Sequence, residues 1–276
     1  MANPATRSSP GPEVRLDLER TLRANPDDRE TWLAYGAWLT EHGDPRGRLI
    51  AIDEALAHPQ LDHDVRRTLE DEARRLDPRT APLGTYALSL ANAQTIDTRI
   101  STWRSGFVLD VVARRPTALT WLVDHPVGRL LTGFSLRYKV IGPTGMKALC
   151  GAPLAALKRL DLSGNHLDDD AAQQLAASPH ARNLVELDLS YNDIGPDGFA
   201  ALLSSPHLAE LRHLDLSHNP LTEALVESLL RSPPGVRLRV LRLTGTGLGE
   251  DGAILLGEVP GLGGLQELDL GQNHLG

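Results

Sequence analysis

The chain repeats itself every 27 residues, and this period constrains its fold more than any other feature. Leu160-Asp161-Leu162-Ser163-Gly164-Asn165 returns in register at 187–192 and 214–219, and a further copy ends at Asn273. The shared pattern is L-x-x-L-x-L-x-x-N-x-L. One such unit cannot bury its apolar side alone, and stacked units lay one short strand beside the previous one. The period therefore predicts an α/β solenoid, an architecture suited to binding.

A second set of apolar positions follows each strand and predicts a helix. Ile141, Leu167, Ile194, Leu221 and Leu248 are followed eight residues later by Leu149, Leu175, Leu202, Leu229 and Leu256. This spacing is typical of a helix on the convex side of the array. The strand-plus-helix unit resembles the ribonuclease-inhibitor type of leucine-rich repeat. We expect these repeats over residues 131–276.

The first 80 residues have a different pattern. Residues 1–12 are rich in Pro, Ser and Ala and predict a flexible tail. Helical spacing of apolar residues, interrupted at Asn25-Pro26 and Gly43-Asp44-Pro45, then predicts a small all-helical domain over residues 13–80. Asp27, with Glu30 three residues later, predicts a capping box at the start of the second helix.

One segment of this region carries a second resemblance. Residues 32–50 read WLAYGAWLTEHGDPRGRLI. They resemble the bacterial repeat-companion domain, with Gly36 where that family usually has alanine. The resemblance implies a bacterial protein in which this domain precedes a repeat array, and it implies no chemistry. A single tetratricopeptide-like hairpin is the competing interpretation.

Residues 81–130 predict an atypical repeat that caps the array. Alternating apolar residues around Trp103 and Phe107 predict two strands joined by a turn at Ser105-Gly106. A short helix is expected from Thr117 to Val123. We expect Phe107 and Trp121 to fill the cap.

The net charge and the cysteine count limit which classes of partner and which cellular environment we expect. The net charge is −8, and no region is basic enough to predict nucleic-acid binding. Cys150 is the only cysteine, so an internal disulfide is impossible and a cytoplasmic protein is expected. The amino terminus has no apolar stretch typical of a signal peptide, and no apolar run predicts membrane insertion.

Alternate positions of each strand predict a binding surface. Side chains on either side of the central leucine face the concave surface. The sequence predicts that a protein partner with a basic surface binds at Asp161, Glu186, Asp188, Tyr191, His213, Asp215, His218, Arg242 and Asp269. A solvated acidic column without a ligand is the alternative, because aspartate is common at this repeat position.

The asparagine of each repeat has a structural interpretation. A buried amide where the chain leaves its strand can satisfy main-chain groups of neighbouring turns. We expect such a ladder at Asn165, Asn192, Asn219 and Asn273. Thr246 occupies this column in its repeat and offers a hydroxyl but no second donor. We therefore expect its turn to be the least rigid.

Signals for catalysis are weak. Residues 247–252 match G-x-G-x-x-G, but Gly249 and Gly252 are the repeat equivalents of Gly195 and Gly198, so a nucleotide-binding enzyme is a minor alternative. No catalytic residue, cofactor or metal is expected. Leucine-rich-repeat ubiquitin ligases need an appended domain with a reactive cysteine, and we expect none here because Cys150 lies at a predicted helical position. Regulation of a small GTPase, as in leucine-rich-repeat GTPase-activating proteins, is the first alternative to a non-enzymatic interaction module.

The array ends after a strand at Gly276. An uncovered strand edge predicts self-association through the last repeat.

Overall fold

The structure is a computed structural model that describes residues 12–77, 101–222, 224–225, 237–259 and 262–275. Most of the predicted tail, residues 78–100 and the predicted helical position Leu229 lie outside the described residues.

Helices and short strands alternate through most of the described chain. The α-helices are α1 (Pro12–Ala24), α2 (Arg29–Glu41), α3 (Arg46–Leu56), α4 (His63–Leu76), α5 (Thr117–Asp124), α6 (Gly142–Cys150), α7 (Asp169–Ala176), α8 (Pro196–Ser204) and α9 (Gly249–Gly257). The strands are β1 (Thr102–Arg104), β2 (Phe107–Val112), β3 (Gly133–Ser135), β4 (Arg159–Asp161), β5 (Glu186–Asp188), β6 (His213–Asp215), β7 (Val240–Arg242) and β8 (Glu267–Asp269).

The strands form one sheet in which spatial order follows sequence order from β1 to β8. β1 and β2 pair antiparallel across the predicted turn at Ser105-Gly106, and every later pair is parallel. The central leucines of β4 to β7 lie in one buried core with Leu149, Leu175, Leu202 and Leu256 of the helices. The predictions of an α/β fold with a parallel sheet and an N-terminal helical region are confirmed.

The asparagines of the repeat lie where the chain leaves each strand, and their side chains form hydrogen bonds between neighbouring turns. Asn192 Nδ2 donates to Leu162 O at 3.1 Å and to Leu189 O at 2.8 Å. Its Oδ1 accepts from the main-chain N–H groups of Asn165 at 2.9 Å and Leu167 at 3.0 Å. Asn165, Asn219 and Asn273 make corresponding bonds. One side chain thus satisfies four groups that the bend leaves without a secondary-structure partner.

Thr246 interrupts this bonding pattern. Its hydroxyl donates to Leu243 O at 3.0 Å, within its own turn, so it has no second donor for the turn before it. Leu221 N donates to Asn219 O, whereas the equivalent Leu167 N donates to the next asparagine. Thr222 also adopts a left-handed φ of 54°. The substitution changes the hydrogen bonding of the turn that precedes it.

The N-terminal helices have identifiable ends and close contacts. Asp28, not Asp27, caps α2, because its carboxylate accepts from Thr31 N at 3.2 Å and Thr31 Oγ1 at 2.8 Å. The predicted capping box is therefore wrong by one residue. Gly47 lets α3 approach α2, since a Cβ there would lie 2.6 Å from Gly36 O.

The helical region packs directly on β2. Phe107 and Leu109 lie in a cluster with Trp32, Tyr35 and Leu39, whereas Val108 belongs to the core of the repeats. The expectation that Phe107 fills the cap is wrong, because alternate residues of a strand face opposite sides and Phe107 faces the helices. Trp121 does pack against the repeat core.

A buried arginine joins the same two parts. Arg46 is 2% exposed, and its Nε lies 2.9 Å from Asp44 Oδ1. Arg46 Nη1 donates to Pro126 O at 2.6 Å, and its guanidinium lies 4.1 Å from the Phe107 ring centroid. The Gly-Asp-Pro-Arg-Gly segment at 43–47 therefore orients the helical region against the first turns of the sheet.

Replacing Asn192 by alanine tests the asparagine ladder. Asn192→Ala leaves four buried main-chain groups without their partner, and we expect it to lower the free energy of unfolding by roughly 3 kcal/mol or more. Asn183→Ala is the matched control, because its amide makes one hydrogen bond, to Ala155 O, and we expect a loss of about 1 kcal/mol. Urea unfolding measures both losses, and equal values would contradict the structural role.

Candidate functional site

One face of the sheet is not covered by the helices and carries the predicted binding residues. We call it the open face, formed by the residues on either side of the central position of each strand. The first column contains Asp110, Gly133, Arg159, Glu186, His213, Val240 and Glu267. The second contains Val112, Ser135, Asp161, Asp188, Asp215, Arg242 and Asp269. Parallel pairing places equivalent residues about 4.8 Å apart across the strands.

The open face is acidic and slightly recessed. It carries seven carboxylates and two guanidinium groups. A groove of about 350 Å³ runs over β2 to β7 and is lined by the strands and by the residues of the two columns. Such a groove has room for side chains of a bound segment.

The arginines of the open face are already paired with carboxylates. Arg159 Nη2 lies 2.5 Å from Asp110 Oδ1, and Arg242 Nη2 lies 2.8 Å from Glu267 Oε1. His213 Nδ1 lies 3.8 Å from Glu186 Oε1. Among the described residues, Asp161, Asp188 and Asp215 have no ion-pair partner. These three consecutive carboxylates form the negative centre of the face, here called the acidic column.

Each residue of the acidic column also holds the turn that follows its strand. Asp188 Oδ1 accepts from Ser190 N at 2.9 Å and Ser190 Oγ at 2.7 Å. Asp161 bonds Ser163 in the same way, and Asp215 accepts from Ser217 N. The second oxygens of Asp188 and Asp215 receive no hydrogen bond from any described residue. These carboxylates can therefore accept bonds from a ligand without releasing their turns.

The ionised form of Asp188, the middle residue of the acidic column, is disfavoured by its surroundings. Burial raises the pKa of Asp188, the hydrogen bonds from Ser190 oppose this, and the neighbouring charges of Asp161 and Asp215 raise it further. A cation placed over the acidic column would relieve this repulsion.

Two predicted site residues lie at the edge of the open face. Tyr191 and His218 occupy the loops after β5 and β6, and their rings stack with centroids 4.2 Å apart and planes at 20°. Both have left-handed φ angles, 56° and 58°. Tyr191 remains 53% exposed. The pair therefore presents an aromatic surface at the carboxyl ends of the strands, beside the acidic column.

Several residues of this surface were not among the predicted site residues. Asp110 and Glu267 neutralise the two arginines, and Ser135 Oγ donates to Asp161 Oδ2 at 2.8 Å. Tyr138 occupies the loop after β3 in the position of Tyr191 and is 63% exposed. Its alignment with Tyr191 could have been recognised in the sequence, although its repeat is one residue shorter.

Comparison with known families agrees with the repeated geometry. Residues 156–176 and 180–203 match the family described as Leucine Rich repeat, and residues 210–231 match a second family described as Leucine Rich Repeat. These segments are leucine-rich repeats. No curated protein matches the chain. Leucine-rich repeats are in general protein–protein interaction modules, which suits an open face without an enclosed cavity.

Groups associated with catalysis are poorly placed among the described residues. Burial raises the pKa of the Cys150 thiol to about 11, so it is not a thiolate at neutral pH. The glycine-rich loop leads into α9, whose first turn carries Glu250 and Asp251, and these carboxylates repel a phosphate. Within the described residues, no three His, Cys, Asp or Glu side chains converge as metal ligands. No described helix could cross a membrane.

The pH dependence of Asp188→Asn tests the electrostatics of the acidic column. A raised pKa means that the folded protein binds this proton more tightly than the unfolded chain, so ionised Asp188 opposes folding at neutral pH. Asparagine can still accept from Ser190. We expect the variant to melt roughly 1–3 °C higher at pH 7, with the gain vanishing as pH falls through the raised pKa.

Asp269→Asn is a control for which we expect the opposite change in melting temperature at pH 7. The hydrogen bond from Gly271 N lowers the pKa of Asp269, so its ionised form favours folding. We expect this variant to melt lower at pH 7 and to approach the wild type as pH falls through the lowered pKa. Differential scanning calorimetry measures both, and a lower melting temperature for Asp188→Asn at pH 7 would contradict the electrostatic account.

Proposed function

We propose that the chain is a non-enzymatic, cytoplasmic interaction module that binds a basic segment of another protein on the concave face of a leucine-rich-repeat solenoid. The observation that carries this proposal is the acidic column, whose three carboxylates lie side by side and form no ion pair with any described residue. Aspartate would otherwise cost stability here, because like charges on adjacent strands repel. Lysine or arginine of a partner would offset the repulsion.

The dimensions of the open face also fit a peptide segment. Seven parallel strands at the usual spacing span roughly 30 Å, which is the length of about nine extended residues. With the stacked Tyr191 and His218 at its edge, the face could supply about half of a standard interface of roughly 1,600 Å². Tyrosine suits such a surface, since it buries a large area with little loss of side-chain freedom.

Peptide binding to an acidic-column variant tests this function. The variant carries Asp161→Asn, Asp188→Asn and Asp215→Asn, which keep the oxygen that holds each turn. We expect a fluorescent peptide of alternating Arg and Ser to bind the wild type, and the variant to bind it roughly tenfold more weakly by anisotropy. Wild-type affinity should fall as salt is added.

A matched control separates the site from net charge. Glu13→Gln, Asp64→Asn and Glu70→Gln change the net charge equally at exposed positions of the helical region. We expect this control to bind the peptide like the wild type. Equal weakening in both variants would mean that net charge alone explains the loss of affinity. This result would reject the acidic column as the site.

We also propose that the chain self-associates weakly through β8. Leu268 and Leu275 are 43% and 39% exposed, and no described strand pairs with the outer edge of β8. A cavity of about 340 Å³ beside this edge is lined by leucines of α9 and the loop after it. Antiparallel pairing of two copies about Leu268 would place Glu267 opposite Asp269, and this repulsion keeps the association weak at low salt.

Sedimentation equilibrium tests the association. We expect a monomer–dimer equilibrium that strengthens at high salt, where the acidic repulsion is screened. Leu268→Lys should remove it by placing a charge at the centre of the edge. A wild-type chain that remains monomeric at high concentration in high salt would contradict the proposal.

A further inference from the structure

We propose that the loops after β2 and β3 form a second contact surface that binds an acidic stretch of the same partner segment whose basic stretch occupies the open face. We call this surface the basic edge, formed by Arg114, Arg115, Arg137 and Lys139. The inference rests on the proposed function and makes it more specific. It predicts a partner segment with both a basic and an acidic stretch.

Strand register brings the four cations together. Val112 pairs with Ser135, and Ala113 N donates to Ser135 O at 2.7 Å, so the two loops leave the sheet side by side. Arg114 and Arg137 each follow two residues after these paired positions. Neighbouring strands are about 4.8 Å apart, which places the loops within reach of one ligand.

The charge of the basic edge is not neutralised within the described residues. All four side chains are exposed, and none forms an ion pair with any described residue. Residues 113–116 and 136–141 contain no Asp or Glu. In a protein with a net charge of −8, four adjacent cations without carboxylates form a distinct positive surface.

The helices behind these loops contribute charge of the same sign. α5 and α6 begin directly after the loops, and neither has a side-chain cap or an acidic residue in its first turn. In the following repeat, Asp168 caps α7, and Asp169 and Asp170 lie in its first turn. The positive ends of helix dipoles are therefore left uncompensated only at the basic edge among these three helices.

An exposed aromatic ring lies within the basic edge. Tyr138 stands between Arg137 and Lys139 with a left-handed φ of 55°. Its ring covers Gly164 of the next loop, where a Cβ would come within 2.3 Å of Tyr138 Cδ1. The glycine therefore permits the ring to lie flat along the edge. Tyr138 and the 67% exposed Val140 give a ligand apolar contacts beside the cations.

The neighbouring open face selects among anionic partners. Its seven carboxylates extend across the sheet from β2 to β8, and together they would repel a long polyanion such as a nucleic acid or an extended anionic membrane. A short acidic peptide stretch can touch the edge alone. Continuation of the same peptide over the open face then requires basic residues.

The geometry also sets the spacing between the two stretches. Arg137 lies two residues along the chain from Ser135, and Asp188 lies two strands away from Ser135 at the same register. These offsets correspond to roughly 7 Å along the strands and 10 Å across them, or about 12 Å in a straight line. An extended peptide covers this distance with about four residues. The acidic and basic stretches should therefore be separated by about four residues.

Peptides with and without an acidic stretch test the basic edge. One peptide carries the basic stretch, a short Gly-Ser spacer and a run of Glu, and a second replaces Glu by Gln. Both orders along the peptide are measured by fluorescence anisotropy. We expect the Glu peptide, in one order, to bind the wild type roughly five- to tenfold more tightly than the Gln peptide at low salt.

The edge variant carries Arg114→Gln, Arg115→Gln, Arg137→Gln and Lys139→Gln, and it should lose this gain while keeping the affinity for the Gln peptide. The control variant carries Arg20→Gln, Arg67→Gln, Arg75→Gln and Arg182→Gln at other exposed positions and should keep the gain. Circular dichroism checks that both variants are folded. A gain that is missing from the wild type, or that persists in the edge variant, would overturn the proposal.

Separate ligands distinguish this inference from the proposed function. If neither peptide binds, the proposed function fails and the basic edge, which depends on it, fails with it. If the Gln peptide binds and Glu adds nothing, only the basic edge fails. An oligonucleotide or anionic vesicles that bind through the basic edge more tightly than the Glu peptide would replace the acidic peptide as its partner.

Discussion

Buried asparagine amides, present in four of the turns that follow the strands, hold the arrangement of the sheet. A chain that bends sharply after every three-residue strand leaves main-chain donors and acceptors that neither strand nor helix can satisfy. Asn192 bonds two carbonyl groups and two N–H groups in adjacent turns, so it joins turns as well as bending one. Three of these four bonds cross to the preceding turn, so they hold the register between neighbouring strands. Regular columns of side chains on the open face are a consequence of these bonds.

Stacking places the aspartates of successive repeats in a column, and the column creates a local negative potential. The aspartate of each Leu-Asp-Leu-Ser unit bonds its own turn, and this local role is the same wherever the unit occurs. Stacking then brings three carboxylates side by side, which raises the pKa of Asp188 by burial and repulsion. Stacking of the repeats, and not the hydrogen bonds within each turn, therefore creates the repulsion between neighbouring aspartates. A cationic ligand would reduce it, which links stability of the repeats to binding.

β2 differs from the later strands because its side chains pack into two hydrophobic clusters. β2 presents Phe107 and Leu109 to the N-terminal helices and Val108 to the repeats, while Arg46 connects Asp44, Phe107 and the carbonyl of Pro126. The helical region consequently covers the side of β2 that carries Phe107 and Leu109. The adjoining loops lack the carboxylates found in later repeats, which leaves the basic edge beside the acidic open face.

Periodicity alone was sufficient to predict strands β4 to β8, the helices after β3, β4, β5 and β7, the buried leucines and the aspartate column. These features depend on spacing along the chain, and each repeat supplies the same local pattern. The cap at Asp28 and the position of Phe107 were not predictable with equal certainty, because a one-residue change alters which group bonds or which side it faces. The pairing of Arg159 with Asp110 and of Arg242 with Glu267 depends on distances between turns. The sequence by itself determined which residues repeat. Only the tertiary structure decided which of the repeated charges are neutralised, because a charge far away in the sequence becomes a neighbour when turns are stacked.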